Sequence, residues 1–136
     1  MIAALIAVIS LAALLQFCIS YCRSVIAASR RVALSEQVRE ITGIENSNLG
    51  GDEFDRLLQL VRLCPERSDD RAEINFVGAY YEFLQLLRRV ARPVVPRIAE
   101  WAEQERESCS YFIAVVLDRR ISYSRDLLAQ QMAEQA

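Results

Sequence analysis

The chain has 136 residues, of which 16 are basic, 18 are acidic and none is His. All the basic residues are Arg, and every charged side chain lies between Arg23 and Glu134. Without His or Lys the chain lacks Ser-His-Asp and Cys-His arrangements, HExxH zinc sites, P-loops and Schiff-base lysines, so the composition argues against the common classes of enzyme.

The first 22 residues are almost entirely apolar, since only Ser10, Gln16 and Ser20 are polar between Ile2 and Tyr21. About 20 apolar residues in a helix match the roughly 30 Å hydrocarbon core of a bilayer. Residues 1–22 are therefore predicted to be a transmembrane anchor. A cleaved signal peptide is the alternative, but it would carry a basic segment before the apolar run, and Arg23 interrupts the approach to the small residues that could be cleaved.

The arginines predict the orientation of this anchor. Arg23, Arg30, Arg31 and Arg39 follow the span, and nothing basic precedes it. The positive-inside rule then places the N-terminus outside and the C-terminal domain in the cytoplasm, at the inner membrane of the cell.

One face of the predicted span carries small residues at a spacing of three or four. Small side chains let helices approach closely in lipid, where packing drives association. This face is a candidate for packing against another membrane protein or a second copy of the chain. It comprises Ala3, Ala7, Ser10, Leu14 and Cys18.

The helix is predicted to continue past the membrane. Apolar residues recur at helical spacing up to Ile41, and no breaker appears before Gly43, which suits a C-cap. Residues 23–43 are therefore predicted to be a stalk continuous with the anchor, with the helix ending near Thr42. The Asn- and Gly-rich stretch 44–51 indicates a flexible connection at the start of a small helical domain, residues 44–136.

Two amphipathic helices are predicted next. Asp52 is the expected N-cap of a short second helix that Pro65 ends. Asp70 and Glu73 have the spacing of a capping box, which predicts a third helix from about Arg71 to Arg92.

A long fourth helix is predicted from Arg97 to about Gln131. Its apolar stripe comprises Ile98, Ala102, Cys109, Phe112, Val116, Tyr123 and Leu127, with Glu105 and Arg119 as its main defects. Residues 109–117 could instead contain a strand over Tyr111–Leu117, because aromatic and β-branched residues favour pleated structure. A lone strand would have no partner in the chain, so the helix is preferred. The predicted fold is all-α, with helices 3 and 4 forming an antiparallel hairpin.

The cysteines and carboxylates do not predict a catalytic, metal or cofactor site. Cysteines at 18, 22, 64 and 109 form no CxxC motif, and a disulfide between Cys64 and Cys109 is expected only if the domain lies outside the cytoplasm. Glutamates at 100, 103, 105 and 107 are interpreted as a solvated face with ion pairs to Arg.

Four arginines surround the turn between Pro93 and Pro96, and they are a candidate contact for a protein partner or for anionic lipid. They are Arg88, Arg89, Arg92 and Arg97. Nucleic acid is not expected, because the net charge is -2 and no basic motif with interleaved aromatic residues is present.

Together these features favour a non-enzymatic, single-pass membrane protein that presents a helical cytoplasmic domain to protein partners. An adaptor, an assembly factor or a small subunit of a membrane complex would fit, and no cofactor or small-molecule substrate is expected. The alternative is a periplasmic or exported helical protein, including a pore-forming or filament subunit. Pairing of Cys64 with Cys109 would favour that alternative.

Overall fold

The computed structural model describes residues 1–31, 34, 40 and 51–136. Within them the chain forms four helices: α1 (Ile2–Ser29), α2 (Gly51–Leu63), α3 (Ser68–Ala91) and α4 (Pro96–Gln135). No strand occurs among these residues, so the predicted all-α fold is confirmed.

Helix α1 is shorter than the sequence predicted, because it ends at Ser29 and not near Thr42. The Ser29 hydroxyl donates to the carbonyl oxygen of Ile26 at 2.7 Å, and the amide of Arg31 bonds three residues back, to Ala28. The amide of Arg30 still bonds to Ile26 as in an α-helix, so the bond from Arg31 to Ala28 marks a tightened last turn, which is common where an α-helix ends. The rest of the predicted stalk and the predicted connection lie outside the described residues, apart from positions 34 and 40.

Helices α2 and α3 begin earlier than predicted. Helix α2 starts at Gly51, one residue before the expected cap at Asp52, and stops two residues before Pro65. Helix α3 starts at Ser68, and Arg67 precedes it without a side-chain capping bond. The predicted capping box is therefore wrong: Asp70 lies inside the first turn, where it is buried and paired with arginines of α4.

Helices α3 and α4 form the predicted antiparallel hairpin, joined by a turn over residues 92–95. Pro96 opens α4 in its first turn, where its missing amide costs no helical hydrogen bond. Three side-chain pairs show that the helices are antiparallel, because residues later in α3 contact residues earlier in α4. The pairs are Asp70 with Arg119, Tyr80 with Glu105, and Arg88 with Glu103.

The middle of α4 is the centre of the core. Residues 108–117 are buried except for Tyr111, which is half-buried. Helices α1, α2 and α3 all contact α4, so this part of α4 is covered on every side. A helix covered all round needs no polar face, which explains why Tyr111–Leu117 is a continuous apolar run although the strand alternative is wrong.

Helix α2 packs across both members of the hairpin. The ring of Phe54 stacks on Tyr81 of α3, with centroids 3.8 Å apart and planes 5° apart. Further along, the carbonyl oxygen of Val61 accepts a hydrogen bond of 2.9 Å from Arg120 of α4. These two contacts place α2 in the same direction as α4.

The second half of α1 packs on the hairpin. Cys22, Ile26 and Ser29, spaced one turn apart on one face, are buried. Tyr21 meets Phe76 of α3 edge to face at 5.7 Å between centroids, and the thiol of Cys22 donates to the Phe76 carbonyl at 3.8 Å. The apolar helix is therefore joined to the domain by direct packing.

Helix α1 runs in the same general direction as α4. Arg23 forms an ion pair of 3.3 Å with Glu105, and Arg30, two turns further along α1, donates to the hydroxyl of Ser108, one turn further along α4. The first half of α1 therefore points toward the end of the bundle where α4 begins.

Candidate functional site

The first half of α1 is a fully exposed apolar helix. Every residue from 1 to 17 is exposed, including Leu5 at 63 %, Leu11 at 67 % and Phe17 at 70 %. The helix is long and apolar enough to cross a membrane, although an N-terminal signal sequence would share that property. A helix that is apolar on all sides is normally covered by lipid or by other protein.

Within α1 the surroundings change over a single turn. Residues 1–17 contact nothing in the described structure that buries them, whereas Cys22 is only 2 % exposed and Ile26 only 3 %. The sequence had assigned everything up to residue 22 to the membrane. In the structure the end of that stretch, at Cys22, packs against the domain.

The candidate helix-packing face lies mainly in the exposed half. Ala3, Ala7, Ser10 and Leu14 are exposed, whereas Cys18 is half-buried. Cys18 precedes the buried Cys22 by one turn, which turns it toward the domain side. Four of the five residues therefore remain accessible to a second helix.

The four arginines between α3 and α4 have different surroundings. Arg88 is half-buried and pairs with Glu103 at 2.8 Å. Arg89, Arg92 and Arg97 are exposed and form no ion pair with any of the residues that the structure describes. The exposed arginines therefore leave unneutralised positive charge at this end of the bundle.

Exposed aliphatic side chains lie among these arginines, and sequence reasoning missed them. They are Leu86 at 61 %, Val90 at 63 %, Val94 at 76 %, Val95 at 39 % and Ile98 at 40 % exposure. We refer to residues 86–98 as the α3–α4 tip. The signal available in the sequence was that Pro93 and Pro96 bracket two valines. The two prolines lie where α3 ends and α4 begins, so the valines between them belong to no helix face that could be buried.

A buried ion-pair network holds the opposite end of the hairpin. Asp70 is 1 % exposed, and its carboxylate lies 3.2 Å from Nη1 of Arg119 and 3.7 Å from Nε of Arg120. Arg120 is itself 4 % exposed and also donates to Val61. The network ties α2, α3 and α4 together.

A second network lies near the middle of the bundle. Arg106, 5 % exposed, donates to the Tyr81 hydroxyl at 2.8 Å and to Glu103 at 3.2 Å. Burial raises the pKa of Tyr81, and the hydrogen bond from Arg106 works against that rise. Glu105 is likewise held, by Arg23 and by a 3.5 Å hydrogen bond from Tyr80. Glu103 and Glu105 thus form ion pairs with arginines, as the sequence predicted, but the side chain of Glu105 is only 14 % exposed and so is less solvated than expected.

A cleft of about 260 Å³ opens beside the turn between α2 and α3. Arg62, Arg71 and Arg120 line it together with Cys64 and Glu66. Arg71 pairs with Glu66 at 3.5 Å and Arg120 with Asp70, so much of the positive charge is already neutralised.

The four cysteines are free, and the structure separates Cys64 from Cys109. Cys64 lines the cleft next to Arg120, and Cys109 lies eleven positions before Arg120 on α4, which is roughly 16 Å along a helix. A disulfide needs Cα atoms within about 7 Å, so this pairing does not fit the fold. In the part of the chain that the structure describes, no three Cys, Asp or Glu side chains are grouped to hold a metal ion.

Comparison with known protein families, characterised proteins and solved structures gives no match for this chain.

Proposed function

We propose that the protein is a single-pass, membrane-anchored interaction protein without enzymatic activity, whose helical domain lies on the cytoplasmic side of the inner membrane. An adaptor, an assembly factor or a small subunit of a membrane complex has this organisation. The observation that carries the proposal is the division of α1 into an exposed apolar half and a half that packs on the domain.

The packing of α1 supports retention of the apolar segment in the mature protein. Cleavage beside Ala27 and Ala28, the only small-residue stretch after the span, would remove Cys22 and Ile26 from the core. Burying a side chain such as Ile contributes about 1.5–3 kcal/mol. Removing the segment would therefore expose an apolar groove between α3 and α4.

The charge distribution supports the cytoplasmic side. Arg23, Arg30 and Arg31 follow the apolar half directly. Positive charge beside a span is retained in the cytoplasm.

The interaction role is supported by the far end of α4. Ile121 still packs against the core, but every residue from 128 to 136 is exposed, including Leu128 and Met132. An amphipathic helix with exposed apolar side chains suits docking in a groove of another protein. A photocrosslinking residue at Leu128 should capture a partner in membranes, whereas one at Gln130, on the opposite face, should not.

Carbonate extraction and thiol labelling test the anchor and its orientation. The protein should stay in the membrane pellet, and release into the supernatant would contradict the anchor. For topology, an exposed reporter is introduced as Gln130→Cys in a Cys18→Ala/Cys64→Ala background, which leaves the buried Cys22 and Cys109 in place. An impermeant maleimide should label this reporter in inverted vesicles and not in spheroplasts. Labelling in spheroplasts would instead favour the periplasmic alternative.

A further inference from the structure

The α3–α4 tip lies at the end of the bundle from which the anchor leaves. Helices α1 and α4 run in the same direction, and Arg23 of α1 lies beside Glu105 of α4. The residues before Arg23, which form the apolar half, and the residues before Glu105, which lead to the tip, therefore lie toward the same end of the bundle. The packing on α3 agrees, because Cys22 meets Phe76 while Ser29, further along α1, lies by Glu73, nearer the start of α3. The C-terminal end of α3 and the start of α4 therefore both point toward the side where a membrane would lie.

The side chains of the tip are those of a membrane-surface segment. Between Phe83 and Ala99 there are four arginines and no acidic residue, although the whole chain is acidic. The exposed aliphatic side chains are interleaved with them. Segments that bind the surface of anionic membranes combine apolar side chains with Arg, whose long stem reaches up to the headgroups.

The backbone of the tip is also suited to a poorly hydrated environment. The amide of Arg92 bonds to Arg88, and the amides of Val94 and Val95 both bond to the carbonyl of Ala91, at 3.0 and 2.7 Å. Pro93 and Pro96 have no amide hydrogen. Every backbone donor from residue 92 to 96 is thus satisfied or absent, so entering the interface leaves no amide unpaired.

We propose that the α3–α4 tip is a second membrane contact, which inserts Val94 and Val95 into the interface while Arg89, Arg92 and Arg97 bind anionic headgroups. The leaflet is the one from which α1 emerges, so the inference rests on the proposed anchor. Lipid is the occupant that fits, because the positive tip complements anionic headgroups and is continuous with the anchor. Two attachment points hold the bundle in one orientation at the surface.

Quenching of tryptophan by brominated lipid tests this contact in the full-length protein. In a Trp101→Phe background, single tryptophans are introduced as Val94→Trp in the tip, Phe17→Trp in the anchor and Met132→Trp at the far end of α4. The proteins are reconstituted in vesicles of brominated phosphatidylcholine with phosphatidylglycerol. The first two should be quenched, and the third should emit as it does without bromine.

The outcomes separate the two proposals. Quenching at position 17 without quenching at 94 would overturn the tip contact and leave the anchor intact. An unquenched tryptophan at 17 would overturn the anchor and the tip contact with it. Equal quenching at 94 and 132 would also refute the contact, since the far end of α4 would then be as close to lipid as the tip.

Charge variants test the role of the headgroups. Arg89→Gln/Arg92→Gln should lower the equilibrium constant for binding of the tip to the membrane surface by about fivefold per arginine in vesicles that contain phosphatidylglycerol. The matched pair Arg56→Gln/Arg62→Gln, on exposed positions of α2, should leave quenching at 94 unchanged. Equal effects of the two pairs, or an undiminished effect without phosphatidylglycerol, would contradict headgroup binding by the tip.

Discussion

Asp70 shows how a distant partner changes the role of a residue. Its position before an apolar run is typical of a helix cap, yet its carboxylate is buried against Arg119 and Arg120 of α4. The sequence could not reveal this, because the partners lie about fifty positions away and no local pattern connects them. Arg119 appears in the sequence as a defect in the apolar stripe, and in the structure it pairs with Asp70 at 3.2 Å.

Asp70→Asn should lower the free energy of unfolding by about 3 kcal/mol, because it leaves the buried Arg120 guanidinium without a counter-charge. Thermal unfolding in detergent, followed by circular dichroism, measures the change. Asp69→Asn is the matched control, since Asp69 is exposed and lies 3.9 Å from Arg67; exposed pairs contribute at most about 1 kcal/mol. Equal shifts for the two variants would contradict the buried network.

The two cysteines of the domain should differ sharply in reactivity. Burial, followed by the nearby Glu105 carboxylate, raises the pKa of Cys109 well above its ordinary value. The thiolate is the reactive form of cysteine. At mildly alkaline pH a smaller fraction of Cys109 is therefore thiolate than for a cysteine with an ordinary pKa, and the Cys109 sulfur is also buried. Cys64 is half-buried beside the cleft.

Maleimide should therefore modify Cys64 first in the folded protein, and both cysteines at similar rates after denaturation. Peptide mass spectrometry of a time course measures the two rates. Similar rates in the folded protein would mean that the packing of α1 on α4 opens readily.

At the scale of elements, helix type and order were predictable, whereas helix ends and the amount of burial were not. The prolines at 65, 93 and 96 mark the breaks between α2, α3 and α4, because proline disrupts the interior of a helix and is tolerated only in its first turn. The end of α1 at Ser29 is marked by a tightened last turn, in which the amide of Arg31 bonds to Ala28, and the apolar periodicity does not record it. The central run of α4 resembled a strand because three neighbouring helices bury it all round.

The packing of α3 can be tested with two leucines on opposite faces. Leu84 is fully buried and Leu86 is 61 % exposed. Leu84→Asp should destabilise the domain by about 3 kcal/mol or more, because it buries a charge without a partner. Leu86→Asp should unfold close to the wild-type temperature in detergent, and a reversal of this order would refute the orientation of α3.

At the scale of the whole molecule, the sequence separated an apolar segment from a charged domain, but it did not reveal which residues of α1 pack on that domain. Uniform apolar character identified the segment through Tyr21. Only the structure shows that Cys22 and Ile26 belong to the core, since apolar residues meet lipid and protein equally well. The arginines of the tip were predicted as a group because a cluster of charges is visible in the sequence. The valines were missed because the sequence does not show which apolar side chains are exposed.

Two truncations should divide α1 at this boundary. Removal of residues 1–17, which are all exposed, should release the protein from membranes and leave the melting temperature of the domain nearly unchanged. Removal of residues 1–29 should also lower the stability by several kcal/mol, roughly 2–5 for each large core side chain lost. Centrifugation and thermal unfolding report the two effects separately. Equal melting temperatures for the two truncations would contradict the packing of α1.

Helix α1 contains neither glycine nor proline between Ile2 and Ser29, so it has no hinge at the membrane surface. An apolar helix longer than the local bilayer tilts to fit it, and it stands more upright in a thicker one. Because the same rigid rod carries the bundle, a change in tilt becomes a rotation of the whole domain by the same angle. In the proposed membrane-anchored protein, thinning or thickening of the lipid would in this way lower one edge of the domain and raise the other, so that membrane thickness would set the direction in which the free end of α4 points.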